Sequence, residues 1–180
     1  GRRINPEPET YILLNKPKGV ATTTSEQKGL TVMDLISNAT SARVKPVGRL
    51  GRNATGLLLF TNDDSLVDKL HSKGMERLFH IELDKNLKHE DLEKISEGFT
   101  LKGNTVEVEE ISYVDNAPKS QVGLRIKNMG NSIIRDIFDH FGYDVVRVDC
   151  VTLAHLTKKD LPRGRWKILT KREVELFSML

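Results

Sequence analysis

The chain has 180 residues, with 28 Lys and Arg against 25 Asp and Glu, a formal net charge of +3, one Cys and one Trp. That length bounds one large domain or two small lobes sharing a core, and 38% hydrophobic with 29% charged residues describes a globular chain rather than a disordered one. Apolar runs such as Leu57 to Phe60 fall far short of the roughly 20 residues of a membrane span, no signal peptide opens the chain, and lone Cys150 has no disulfide partner within it.

Membrane-spanning, secreted and disulfide-stapled classes are thereby set aside, and a reducing cytoplasm is the expected location. Gly1 to Thr10 is polar with two prolines and reads as a linker at a domain boundary; residues 11–180 then form the domain. Tyr11 to Leu14 is a β-prone apolar run, closed by the turn chemistry of Asn15-Lys16-Pro17-Lys18-Gly19. Thr31 to Asp34 is a capping box that opens a short helix through Ile36. Gly56 to Thr61 reads as a buried strand. Asn62 is expected to cap a helix carrying Leu66, Val67 and Leu70 inward and ending near Gly74.

Leu78 to Leu83 is the next strand, and His89 to Ser96 a helix stopped by Gly98. Gly103-Asn104 is a hairpin turn. Strands are expected from Thr105 to Val114 and from Gln121 to Lys127. The clearest helix runs from Ser132 to Phe141, with Ile133, Ile134, Ile137, Phe138 and Phe141 on one stripe. Two further strands, Tyr143 to Val148 and Val151 to Leu156, precede one from Trp166 to Leu169 and a helix from Lys171 to Phe177. Strands outnumber helices, so the class is α+β with a mixed, mainly antiparallel sheet.

Generic catalytic motifs are absent. The five histidines have neither helical pair spacing nor Cys partners, which argues against a metal site, and no phosphate loop or Gly-x-Ser-x-Gly elbow occurs. Cys150, in a strand-like run without a nearby His, reads as a buried structural thiol. Basic residues cluster early (Lys16, Lys18, Lys45, Arg49, Arg52) and late (Lys158, Lys159, Arg163, Arg165, Lys167, Lys171, Arg172), as an anionic partner requires, although solvated faces look the same.

Three separated motifs do carry a signal. Asn15-Lys16-Pro17-Lys18-Gly19 precedes Gly48-Arg49-Leu50-Gly51-Arg52-Asn53-Ala54-Thr55-Gly56-Leu57-Leu58-Leu59-Phe60-Thr61-Asn62-Asp63; Ile137 to Tyr143 and Leu156 to Trp166 follow in order. Across Tyr11 to Phe177 the chain resembles the RsuA/RluB/RluE/RluF family of ribosomal-RNA pseudouridine synthases. The resemblance implies the pseudouridine synthase fold, a mainly antiparallel sheet around a central cleft with flanking helices, its two lobes meeting near Asp115 to Lys119. It also implies a flipped uridine isomerised by one Asp without metal or cofactor, and an S4-type RNA-binding domain attached through the linker-like start.

The departures from the family pattern bear on activity. Its catalytic Asp falls at Gly51, which has no side chain to act as nucleophile or base. Its Thr or Ser falls at Ala54, and its Tyr at Phe79, which keeps a stacking face without the hydroxyl. Of four basic positions near Met129 to Asp136, only Arg135 survives, matching the residue that pairs with the catalytic Asp. Asp63 matches an Asp that the family has in addition to its nucleophile, and Asp64, past an intervening strand, is too displaced to take over. The expectation is a catalytically silent domain, a monomer that binds ribosomal or another structured RNA, or a protein, with Gly51, Phe79 and Arg135 in the cleft. Lys16, Lys18, Arg49, Arg52 and Asn131 are the RNA-binding candidates. The alternative is an active synthase in which Gly51 is an engineered or compensated replacement.

Overall fold

A computed structural model describes residues 7–25, 29–130 and 132–180; the linker-like start through Pro6 and the candidate Asn131 lie outside the described residues. The first apolar run forms β1 (Tyr11–Lys16), with all six residues buried. Such a strand is covered on both faces. It pairs antiparallel with β3 (Thr55–Thr61), and Ile12, Leu13 and Leu14 facing Phe60, Leu59 and Leu58 form the middle of the hydrophobic core. Between them lie α1 (Val32–Leu35), where Asp34 accepts from the Thr31 backbone N–H at 2.8 Å, and the short strand β2 (Lys45–Val47), which pairs with β3.

After β3 come α2 (Asp64–Lys73), β4 (Arg77–Leu83), α3 (His89–Glu97), β5 (Phe99–Leu101), β6 (Asn104–Val106), β7 (Glu110–Tyr113) and β8 (Gln121–Ile126). The chain ends with α4 (Ile133–His140), β9 (Val145–Leu153), β10 (Leu156–Thr157), β11 (Trp166–Ile168) and α5 (Lys171–Glu175), the last continued by a 3₁₀ turn over Leu176–Met179. Among the described residues, nine strands share one sheet in the order β11-β1-β3-β9-β4-β8-β7, with β2 on β3 and β10 on β9; β5 and β6 form a separate hairpin. Every pair of strands is antiparallel except β3 with β9, so the sheet is mixed and mostly antiparallel, as expected. No helix among the described residues is long and apolar enough to cross a membrane.

Several local expectations are corrected. Asp63, not Asn62, caps α2 by accepting from Leu66 N–H at 3.2 Å, while Asn62 accepts from Thr10 N–H at 2.8 Å and ties the chain entry down. The run from Thr105 to Val114 is not one strand: β6 pairs with β5, β7 pairs with β8, and residues 107–109 cross between the two sheets. The two strands expected around Asp149 are instead the single strand β9, because Asp149 is neutralised in place by Lys158 and Arg163; the turn falls later, at Ala154, which has φ 52°. Residues 115–119 close the β7–β8 hairpin.

Two features position the cleft. The parallel contact of β3 with β9 is only two residues long, Thr55 opposite Asp149 and Gly56 opposite Cys150. Gly56 has φ +111°, and a Cβ there would stand 2.3 Å from the Cys150 carbonyl oxygen. Only glycine permits this approach. The second feature is Lys16, fully buried at the end of β1. Its ammonium donates to the carbonyls of Pro17, Arg52 and Ala54 at 3.0, 3.1 and 2.6 Å, clamping the loop before β3. Burial, together with the charges of Arg52 and Arg163, pulls its pKa down to about 8.

Gly56→Ala is therefore expected to destabilise the fold by about 3 kcal/mol or more, through backbone strain and overpacking together; urea unfolding measures this. For Lys16, the unfolded chain holds its proton up to about pH 10.5 while the folded chain releases it near 8. Between those values the unfolded state binds more protons, so this group makes stability rise with pH. Unfolding of the wild type should show that upward slope between pH 8 and 10.5 relative to Lys16→Met; equal slopes would contradict the assignment.

Candidate functional site

Because β3 and β9 run parallel, the segments that precede their contact, residues 49–54 and 145–148, leave it on the same side. With β4 and the start of α4 they line a cavity of about 440 Å³, within the range of ligand sites. Residues 51–54 form a tight turn, with Ala54 N–H donating to the Gly51 carbonyl at 3.0 Å, and Thr22 holds the Leu50 carbonyl from behind at 2.7 Å. Gly51, Phe79 and Arg135, from three distant stretches of sequence, all line this cavity, as do Arg49 and Arg52. A Cβ built on Gly51 meets nothing within 4 Å, so the position has room for a side chain.

Phe79 is only 2% exposed, and the guanidinium carbon of Arg77 lies 5.0 Å from its ring centroid. One face of the ring is thus taken by a cation–π contact rather than offered to a ligand. Arg77 itself is the largest departure from what the sequence pattern disclosed. It is 4% exposed, and no hydrogen-bond partner for its Nε exists among the described residues. Burial lowers its pKa from the ordinary value, yet a guanidinium stays protonated. Gly48, at φ +80°, leaves its own Cβ space to this group: a Cβ there would lie 3.5 Å from Arg77 Nη1.

Arg135 is exposed at the rim and forms no ion pair among the described residues. The adjacent Asp136 is not part of the lining and accepts the Ser132 hydroxyl at 2.9 Å. Arg147 on β9 adds an exposed cation to the opposite wall. Among the described residues, the lining carries five arginines and no Asp, Glu, His, Cys or Lys, and its one hydroxyl is that of Ser132. Guanidinium groups of this kind suit anions, and none of these described side chains is a general base.

The remaining candidates divide. Lys16 is corrected from a surface contact to an internal clamp, since its ammonium is buried among carbonyls. Lys18 is exposed but outside the cavity lining, and Asn131 lies outside the described residues. In the late basic cluster, Lys158 and Arg163 meet Asp149 at 2.5 and 3.1 Å, Arg163 also donates to Asn15 at 2.6 Å, and Lys167 meets Glu173 at 3.0 Å. Burial pushes the Asp149 carboxyl up, but hydrogen bonds from Lys158 and Thr55 and the nearby cations hold it below its ordinary value. Lys158, Arg163 and Lys167 thus fasten the C-terminal segment, with Arg163 still exposed.

Asp63 caps α2 and accepts from Tyr11, Asp64 begins that helix, and neither lines the cavity. The Cys150 thiol is fully buried and pushed up to about 12 by that burial, an inert structural thiol. Among the described residues, no group of three or more His, Cys, Asp or Glu side chains could hold a metal ion. Arg77 and Arg147 went unselected in the sequence. For Arg77 a signal existed, because it lies two residues before Phe79 on a strand and so shares its face. Arg147 carries no local signal.

A family model described as RNA pseudouridylate synthase matches residues 10–136. The dual-specificity RNA pseudouridine synthase RluF of Escherichia coli (strain K12) is 29% identical over 186 residues, covering 100% of this chain and 62% of RluF. The chain therefore spans less than two thirds of that relative's length. Ribosomal large subunit pseudouridine synthase B of Bacillus subtilis (strain 168) is also 29% identical, with 100% of this chain and 76% of the relative covered. A crystal structure of a pseudouridylate synthase superposes with a TM-score of 0.80 at 22% identity, over 95% of this chain and 74% of that one. An H/ACA ribonucleoprotein bound to a substrate RNA superposes at 0.54 and 14% identity, over 84% of this chain and 49% of that one. With the match extending over most of the chain and the fold agreeing with it, the chain belongs to the RNA pseudouridylate synthase family.

Proposed function

We propose that this pseudouridine synthase domain binds RNA without isomerising uridine, acting in the cytoplasm as a scaffold on ribosomal or other structured RNA. The observation that carries the reading is the cavity wall at Gly51: the position matched to the family's catalytic Asp has no side chain, and no Asp or Glu stands among the described lining residues. Deleting a catalytic nucleophile costs on the order of a million-fold in rate in enzymes where it has been measured. The altered Ala54, Phe79 and Ser132 line the same cavity, so the change is spread over the site rather than confined to one residue. RNA as the partner is supported by the relatives, which are named as RNA and ribosomal large subunit synthases, and by the four exposed arginines on the wall.

One observation favours a second reading, an active synthase with Gly51 as an engineered replacement: the backbone there has room for an Asp side chain. Tritium release from 5-³H-uridine-labelled ribosomal RNA separates the two, with the E. coli relative as positive control. The wild-type chain is expected to give no release above background, and Gly51→Asp to stay far below the control because Phe79 still lacks a hydroxyl. Release by the wild type would overturn the proposal; full turnover by Gly51→Asp would establish the second reading.

RNA binding has its own test. Arg147→Gln should weaken affinity for single-stranded RNA and reduce the slope of log K against log salt by about 0.7, the share of one phosphate contact. An unchanged slope would remove Arg147 from the interface.

A further inference from the structure

Arg77 is a buried cation whose charge no described carboxylate balances. Its guanidinium lies over the Phe79 ring and near the buried Cys150 thiol, neither of which carries a balancing negative charge, and its Nε has no hydrogen-bond partner among the described residues. A buried charge of this kind is costly unless paired, and a guanidinium cannot escape by losing its proton. Around it, Arg49, Arg52, Arg135 and Arg147 line the same cavity, and no acidic side chain does so among the described residues. The first turn of α4 also borders the cavity through Ile133 and Ile134, and a helix start favours negative charge.

We propose that the cavity is an anion site in which a phosphate group sits against Arg77, in the space left open at Gly51. A phosphate oxygen pair matches the guanidinium fork, and Gly48 and Gly51, lacking side chains, keep the approach clear. The phosphate is either a monoester on a small molecule or a diester of an RNA backbone. The proposal deepens the reading of the cleft as a non-catalytic RNA site and rests on it only for the diester source; inorganic phosphate probes the cavity by itself, so failure of RNA binding and failure of the anion site are separate results.

The test is calorimetric titration with inorganic phosphate at constant ionic strength in chloride. The wild type should bind phosphate, and Gly51→Asn, which fills part of the space without charge, should bind several-fold more weakly. Gly51→Asp, which adds an internal carboxylate beside the arginines, should bind at least tenfold more weakly while remaining folded. Arg77→Met should lose binding; because it alters a buried residue, exposed Arg135→Gln serves as the second variant and should bind several-fold more weakly. Uridine 5′-monophosphate and the dinucleotide UpU distinguish the sources, monoester preference or equal binding each supporting the site. Phosphate uptake unchanged in Gly51→Asp, or no binding of any of the three probes, would overturn the proposal.

Discussion

Gly56 lies against Cys150 so closely that a Cβ would meet its carbonyl oxygen at 2.3 Å, and the cleft is built outward from that approach. The contact joins the N-terminal strands β1 and β3 to the strands β9, β4, β8 and β7. Two parallel residue pairs suffice there, because the same junction is reinforced beside it by Asp149, which binds Thr55 from one strand and Lys158 and Arg163 from the returning chain. A longer parallel pairing would draw residues 49–54 onto 145–148 and close the cavity. The short pairing holds the two halves together and keeps their leading segments apart.

Lys16 completes this arrangement from inside. An ammonium donating to three carbonyls fixes the turn that carries Gly51, independently of what side chain stands at that position. Scaffold and chemistry are therefore separable in this fold: removing the carboxylate removes the reactive group while leaving the turn, the cavity and its arginines in place. What remains is a concave wall of one sign of charge, partly desolvated at Arg77, where electrostatic attraction is stronger than on open surface. On the proposed reading, a cleft whose described wall carries arginines and no acid is suited to hold anions.

Much of this was legible in the sequence, and for identifiable reasons. The apolar run at Leu57 to Phe60, the amphipathic stripe of α4 and the capping box at Thr31 are local signals with local causes, and each appears where expected. Gly51, Phe79 and Arg135 were brought together by resemblance to a family pattern, since no spacing in the chain announces that residues so far apart share a cavity. Partner-dependent features escaped. Continuous β propensity from Thr105 to Val114 conceals a change of sheet, and Asp149 looked like a strand break because its counter-ions come from residues 158 and 163. Lys16 looked like a surface cation for the same reason: the carbonyls that hold it lie mostly 36 and 38 residues away.

The central claim is that the cleft holds RNA and leaves its uridine unchanged. Crosslinking the chain to RNA in its native cells, then reading each crosslinked site for pseudouridine, tests both halves at once. The account predicts recurrent RNA sites in which the contacted uridine is still uridine. Pseudouridine at those sites, dependent on this chain, would contradict it.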